Sequence, residues 1–324
     1  MPSRDVDSMA TQAWIMPPTA TLVRRCHLMP HTEPAWTPEL LDAPHDVPDK
    51  AGRVRRMFNG IAQRYELINS LFSMGRDASW RRRAVELAGA CNDDQVLDIG
   101  CGTGDFARAF ASAGAKTVIG CDFAHEMLVR AAGSKARATP RKPKPADQLS
   151  GMTKRSEERA KLARALMQEG MGKQVCPCRP TARSTARCSL WCEGDALRLP
   201  FRSGTFSITS CAFSVRNFAD LDVGLFEMFR VLRRGGRAVI LEFTRPKNRV
   251  ARRLYEFYSH RFMPVAATLI SRDRSGAYRY LPRSVVSFPS AEQMCSRLRR
   301  AGFDRTTATP LSMGIVTVYV AVRN

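Results

Sequence analysis

The sequence predicts an α/β fold: a mostly parallel central sheet with helices on both faces and an antiparallel last strand. Three observations carry that expectation. From residue 95 onward short apolar runs alternate with stretches of helical periodicity, the first run ends in a glycine-rich turn, and two β-like runs close the sequence. In order, Gln95 to Ile99 reads as a strand, Asp105 to Ala113 as a helix, Thr117 to Cys121 as a strand and His125 to Ala132 as a helix. Phe206 to Phe213, Leu221 to Leu232 and Arg237 to Phe243 continue as strand, helix and strand. A helix from Ala291 to Ala301 and runs at Arg305 to Leu311 and Ile315 to Val322 complete the sheet, the final pair antiparallel.

Upstream of the sheet, Met57, Phe58, Ile61, Ala62, Tyr65, Leu67, Ile68, Leu71 and Phe72 recur at helical spacing, and Trp80 and Val85 sit on another helical stretch. Residues 1–50 hold eight prolines and no sustained periodicity, which predicts a poorly ordered N-terminal extension. The domain then spans 51–324. It is interrupted at about 133–189 by a segment rich in Lys, Arg, Ala, Pro and Ser. That segment carries too little apolar side-chain area to offset its own ordering entropy, so it reads as a basic insertion of low order.

With 324 residues, 44% of them hydrophobic, the chain can bury one sizeable core. Its 51 Lys and Arg against 30 Asp and Glu give a formal charge of +21, which favours phosphate backbones, anionic lipid head groups or other acidic surfaces. Much of the excess lies between Lys135 and Arg187 and in the Arg-rich C-terminal third, so a membrane surface fits as readily as a nucleic acid. The ten scattered cysteines suit a reducing cytoplasm. No apolar run approaches the ~20 residues that span a bilayer, so any membrane contact is expected to be peripheral. Cys176, Cys178, Cys188 and Cys192 lack the spacing of paired Cys-x-x-Cys hooks and no His accompanies them, so no metal is expected.

The chemistry concentrates in Val96-Leu97-Asp98-Ile99-Gly100-Cys101-Gly102-Thr103-Gly104-Asp105. An apolar strand runs into a Gly-x-Gly-x-Gly turn and then a helix, which puts bare backbone at the carboxyl end of the first strand, where open α/β sheets bind ligands. The spacing differs from the Gly-x-Gly-x-x-Gly of nicotinamide and flavin enzymes, and Asp98 stands where it can meet the amino group of an aminoacyl ligand. Asp122 closes the second strand, where a carboxylate accepts from ribose hydroxyls or caps the following helix. In Glu193-Gly194-Asp195-Ala196, Asp195 is placed to accept from an adenine amino group, while Ala196 offers a backbone amide to the ring.

These elements, with Leu232-Arg233-Arg234-Gly235-Gly236-Arg237, resemble the motifs of Rossmann-like class I S-adenosylmethionine methyltransferases. Met57-Phe58-Asn59-Gly60-Ile61-Ala62 with Tyr65, Asn69, Ser73, Gly75 and Trp80-Arg81 resembles the N-terminal signature of the ubiquinone/menaquinone biosynthesis C-methyltransferase family. So do Phe213-Ser214-Val215-Arg216-Asn217, Leu241-Glu242-Phe243-Thr244-Arg245-Pro246 and the stretch from Tyr278 to Val285. The Tyr-Leu-Pro and Phe288-Pro289 wording is closest to members that act on demethylmenaquinol. The resemblance implies S-adenosylmethionine as cofactor, held by Asp98, Gly100, Gly102, Thr103, Gly104, Asp122, Asp195 and Ala196. It also implies a prenylated quinol as substrate, a cytoplasmic chain that meets the inner face of the membrane peripherally, and no nucleic-acid partner; a homo-oligomer stays open. The chain departs from the family pattern at Asp195, Ala212 and Asn59, which stand where members often carry Asn, Ser and Asp.

Methyl transfer to a ring carbon needs phenolate character at the quinol oxygen, which a cationic or amide donor stabilises. Arg216 and Asn217, just after the fourth strand, are the catalytic candidates, Arg216 in an orienting role because it stays protonated. The alternative is an Arg216 that pairs with Asp220 or Asp222 at a helix start. Phe58, Tyr65 and Trp80 are read as an apolar lid over the ring or, equally, as ordinary core. The aromatic stretch at Tyr255, Phe257, Tyr258, Phe262 and Met263 reads as lipid contact or as a packing helix. Competing classes are a nucleic-acid methyltransferase, favoured by charge alone, and a binding protein that retains the cofactor fold.

Overall fold

A computed structural model describes residues 36–37, 39–41, 44, 47–65, 69–70, 73–133, 189–246, 253, 257 and 276–324, all within the unit Pro34–Asn324. Seven strands form one sheet: β1 (Gln95–Ile99), β2 (Thr117–Asp122), β3 (Ser189–Glu193), β4 (Phe206–Ala212), β5 (Leu232–Phe243), β6 (Arg305–Leu311) and β7 (Val316–Val322). Their order is β3-β2-β1-β4-β5-β7-β6. The pairs among β1 to β5 are parallel, while β7 is antiparallel to both β5 and β6. The Ser312–Gly314 turn is too short for a crossover, so β7 must return antiparallel, and it slots between β5 and β6.

β1 and β4 are buried along nearly their whole length, the continuous burial that an interior parallel strand covered on both faces requires. Val96 and Leu97 point to opposite sides. Val96 joins Val118, Ile208 and Val239 under α2 (Asp77–Ala88) and α3 (Asp105–Ser112), whose Trp80, Phe106 and Phe110 complete that layer. Leu97 joins Ile240 and Tyr319 under α5 (Leu221–Val231) and α7 (Ala291–Arg300), which contribute Leu225, Met228, Met294 and Leu298. A capping box between Ser290 and Gln293 starts α7. A third apolar group gathers α1 (Lys50–Ile61), α4 (His125–Gly133) and α6 (Ala277–Val286) through Val54, Met57, Phe58, Met127 and Tyr280.

Some expectations shift. The domain boundary placed at residue 50 falls inside the folded unit, because Trp36 and Leu41 are buried at 2% exposure and the Trp36 ring stacks on Tyr280 at 4.1 Å. The helical spacing read from Met57 onward belongs to a helix that starts at Lys50 behind the Asp49 cap and gives way at Ile61 to a 3-10 turn, Ala62–Arg64. Helix α6 is absent from the sequence reading because Pro282 lies inside it. Proline removes one intrahelical bond, and the burial of Tyr280, Leu281, Ser284 and Val285 compensates. Residues 1–35 and 134–188, with Cys176, Cys178 and Cys188, lie outside the described residues.

Candidate active site

β1 delivers Asp98 and Ile99 to a turn whose Gly100, Gly102 and Gly104 all have positive φ. A side chain at Gly100 would place its Cβ 2.1 Å from Ser214 Oγ, and one at Gly104 2.2 Å from the Trp191 ring. Only glycine lets the main chain come this close. The Gly102 amide donates to Asp122 Oδ2 at 2.8 Å, and the Ala124 amide donates to Asp122 Oδ1 at 2.9 Å. Asp122 therefore braces the start of α4 and faces the cleft at the same time. Burial pushes its carboxyl up to about 6, although three backbone donors pull the other way.

Asp98 is buried at 1% exposure. Its Oδ1 accepts from Ser210 Oγ at 2.8 Å, while Oδ2 is buried without a partner. Burial raises this carboxyl to about 7 against the Ser210 bond and the charge of Arg81. Thr103 is buried and its hydroxyl donates to Asp105 Oδ2 at 3.3 Å. Beyond β3, the Gly194 amide donates to the Asp122 carbonyl at 3.0 Å and ties the two acidic turns together. Asp195 is exposed, with Oδ1 accepting from the Leu197 amide at 2.9 Å. Gly100, Asp122, Asp195, Ala196, Ser214 and Asn217 line one open cleft of about 420 Å³.

The turn after β4 is fixed more deeply than its sequence suggested. Phe213 adopts φ 58°, and Val215–Asn217 form a 3-10 turn. Arg216 is buried, and its Nη1 donates to Glu242 Oε1 and to the Phe213 carbonyl at 2.7 Å. Its Nε donates to Ser284 Oγ at 3.3 Å, and the guanidinium lies 5.6 Å from the Phe243 ring centre. Burial is the largest single influence and opposes its charge, yet Glu242, Tyr65 and Tyr280 together outweigh it and raise the Arg216 pKa. The alternative partners are occupied elsewhere: Asp220 caps α5, and Asp222 pairs with Arg297 at 2.5 Å. Asn217 Oδ1 accepts from the Tyr280 hydroxyl at 3.1 Å. The Lys50 ammonium donates to the Phe218 carbonyl at 2.5 Å, pinning the same turn from α1.

Of the three aromatics read as a lid, the structure brings two together. Phe58 and Tyr65 meet edge to face at 5.8 Å, and Tyr65 Cε1 lies 3.7 Å from where a Gly102 Cβ would stand. Trp80 sits in the α2 layer against Phe213 and Phe243, and its indole donates to Ser312 Oγ at 2.8 Å. Of the stretch read as lipid contact, Phe257 is described and exposed; Tyr255, Tyr258, Phe262 and Met263 lie outside the described residues. Among the described residues no group of three His, Cys, Asp or Glu side chains gathers to hold a metal, and no helix is long and apolar enough to cross a membrane.

The sequence profile of the ubiE/COQ5 methyltransferase family matches residues 47–144 and 144–323. The chain belongs to the ubiE/COQ5 methyltransferase family. It is similar to a demethylmenaquinone methyltransferase of Deinococcus radiodurans, 36% identical over 85% of this chain and 94% of the relative. A ubiquinone/menaquinone biosynthesis C-methyltransferase of Geobacter sulfurreducens is 34% identical over 84% of this chain and 88% of its own length. A demethylmenaquinone methyltransferase of Thermus thermophilus is 35% identical over 82% of this chain and 100% of its own length.

The cofactor of this ubiE/COQ5 methyltransferase is S-adenosylmethionine. The residues present fit it. Asp98 keeps one buried oxygen open, Gly100 and Gly102 of the glycine turn line the cavities there, and two acidic turns border the cleft. Sequence reasoning gave no role to Lys50, Arg81, Glu242, Tyr280 or Ser284. Glu242 carried a signal: a carboxylate inside the apolar run Val239–Phe243 must find a buried partner.

Proposed function

We propose that this methyltransferase converts demethylmenaquinol to menaquinol by methylating a ring carbon of the prenylated quinol. The observation that supports this reading most directly is the full-length likeness to the two demethylmenaquinone methyltransferases, joined to a cleft that runs from Asp122 to Asn217. S-adenosylmethionine, when bound, supplies an electrophilic methyl group. In this reading Asp122 accepts from ribose hydroxyls, the Asp195–Ala196 turn borders the adenine, and Gly100, Gly102, Thr103 and Gly104 give the cofactor bare backbone to lie against.

On the substrate side, Asn217 lines the cleft and offers an amide to the quinol oxygen, while Arg216 behind it supplies a fixed positive charge. A cation held in a buried site stabilises a developing phenolate more than one in water, because little solvent reorganises around it. Its ion pair with Glu242 keeps Arg216 protonated, so Arg216 orients and polarises. The phenolic proton leaves to water as the ring carbon takes the methyl group; water then removes the hydrogen from that carbon as a proton and returns one to the oxygen, which restores the aromatic quinol. Phe58 and Tyr65 close over the glycine turn and limit water near the reacting carbon. The prenyl tail partitions into lipid, so the encounter with substrate takes place at a bilayer surface, reached peripherally.

The test is methyl transfer from labelled S-adenosylmethionine to reduced demethylmenaquinone in liposomes, with wild type beside Asp122→Ala and Arg216→Ala. Label in the lipid product that falls at least about a hundredfold in both variants supports the reading. Cofactor binding with no labelled lipid in the wild type overturns it.

A further inference from the structure

We propose that Arg81 anchors the carboxylate at the methionine end of the cofactor, opposite Asp98, which takes the ammonium. The inference rests on the cofactor assignment above and not on the quinol. Arg81 Nε and Asp98 Oδ2 are both buried, and neither has a hydrogen-bond partner in the protein. Each residue is committed on one side only. Arg81 Nη1 donates to Asp77 Oδ2 at 2.9 Å with the guanidinium 5.4 Å from the Phe213 ring centre, and Asp98 Oδ1 accepts from Ser210. Both face one small chamber of about 280 Å³ beside Tyr65, Gly102 and Thr103.

A buried donor and a buried acceptor left open are costly, and a ligand that completes both removes that cost. Here a cation and a carboxylate share a chamber, while the ion pair of Arg81 is made with Asp77 at 2.9 Å. One ligand group closes both atoms at once: an α-amino acid, whose ammonium and carboxylate leave the same carbon. Arg81 and Asp77 are four residues apart on α2, so the helix sets the direction of the guanidinium. The Trp80 ring, packed against Phe213 and Phe243, holds that helix turn in place.

The experiment titrates S-adenosylhomocysteine and 5′-methylthioadenosine into the full chain by calorimetry, for wild type, Arg81→Leu and Arg81→Lys. The second ligand keeps the nucleoside and thioether and lacks the amino acid. Arg81→Leu should bind S-adenosylhomocysteine about 10- to 100-fold more weakly, the loss of a charged hydrogen bond, and 5′-methylthioadenosine as the wild type does. Arg81→Lys should recover part of the loss, since it keeps the charge without the planar fork. Equal weakening of both ligands would assign Arg81 to bracing the glycine turn, and undiminished S-adenosylhomocysteine binding would place the carboxylate elsewhere; either overturns the proposal. If Arg81→Leu fails to fold, Arg81→Lys carries the same comparison, with a severalfold loss confined to S-adenosylhomocysteine as the expected result. A wild-type chain that bound neither ligand would sink the cofactor assignment itself.

Discussion

The Gly102 amide and the Asp122 carboxylate meet at 2.8 Å, so the first acidic turn is held by the glycine turn that it faces. Removing this carboxylate strips a partner from two backbone amides, Gly102 and Ala124. Asp122→Ala should therefore lose stability by about 1–3 kcal/mol as well as cofactor affinity by about tenfold or more. Thermal melts and calorimetry separate the two effects. A lower Tm with unchanged S-adenosylhomocysteine affinity would confine Asp122 to bracing.

The buried Arg216–Glu242 pair predicts an asymmetric mutational response. Glu242→Gln strands a buried guanidinium and should cost about 3–5 kcal/mol in a denaturant titration. Replacing both residues by Met should cost less than that single change, because no charge is left unpaired, yet methyl transfer should stay lost. Equal destabilisation by single and double variants would mean that the pair contributes nothing to the cost.

Cofactor binding should depend on pH through Asp98 and Asp122, raised by burial to about 7 and about 6. The ammonium of the ligand binds the ionised carboxylate, so affinity is full about one pH unit above the Asp98 value and declines as pH falls through it. The expected limit for one proton is about tenfold in Kd per pH unit. Ser210→Ala removes a bond that lowers the Asp98 pKa and should move the inflection upward. A flat Kd from pH 5.5 to 8.5 would contradict this account.

Gly120 has an ordinary backbone conformation, so any cost of a side chain there is steric alone. An added Cβ would lie 2.4 Å from the Trp191 ring and 2.9 Å from Cys101 Sγ. Gly120→Ala should destabilise by about 1–3 kcal/mol, and Trp191→Leu in the same chain should recover part of it. No recovery in the double variant would locate the clash at Cys101.

The sheet was readable because its signals are local. Gln95 to Ile99 is built on Val96, Leu97 and Ile99 and stops at glycine, and the observed β1 has those bounds. The position of Arg216 was readable, but its partner was not. Asp220 and Asp222 are close in sequence, while Glu242 reaches Arg216 only because β4 and β5 are neighbours in the sheet. Trp80 shows the same limit. Its helical spacing fits a lid or a core equally, and the choice depends on Phe213, Phe243 and Ser312, which arrive from distant strands and turns. Arg81 was visible only as part of a motif, since an unpartnered nitrogen is a property of packing.

The position of Trp191 fixes where the edge strand lies. β3 is the outermost strand, paired with β2 alone, and the Trp191 ring occupies the space left by Gly104 and Gly120. The edge strand thus carries its own address, set by that ring. Losing a packed tryptophan costs about 3–5 kcal/mol, so the ring holds β3 in place alongside the strand ladder. The side of the cleft that Asp122 and Asp195 border is accordingly placed by packing within β3 itself.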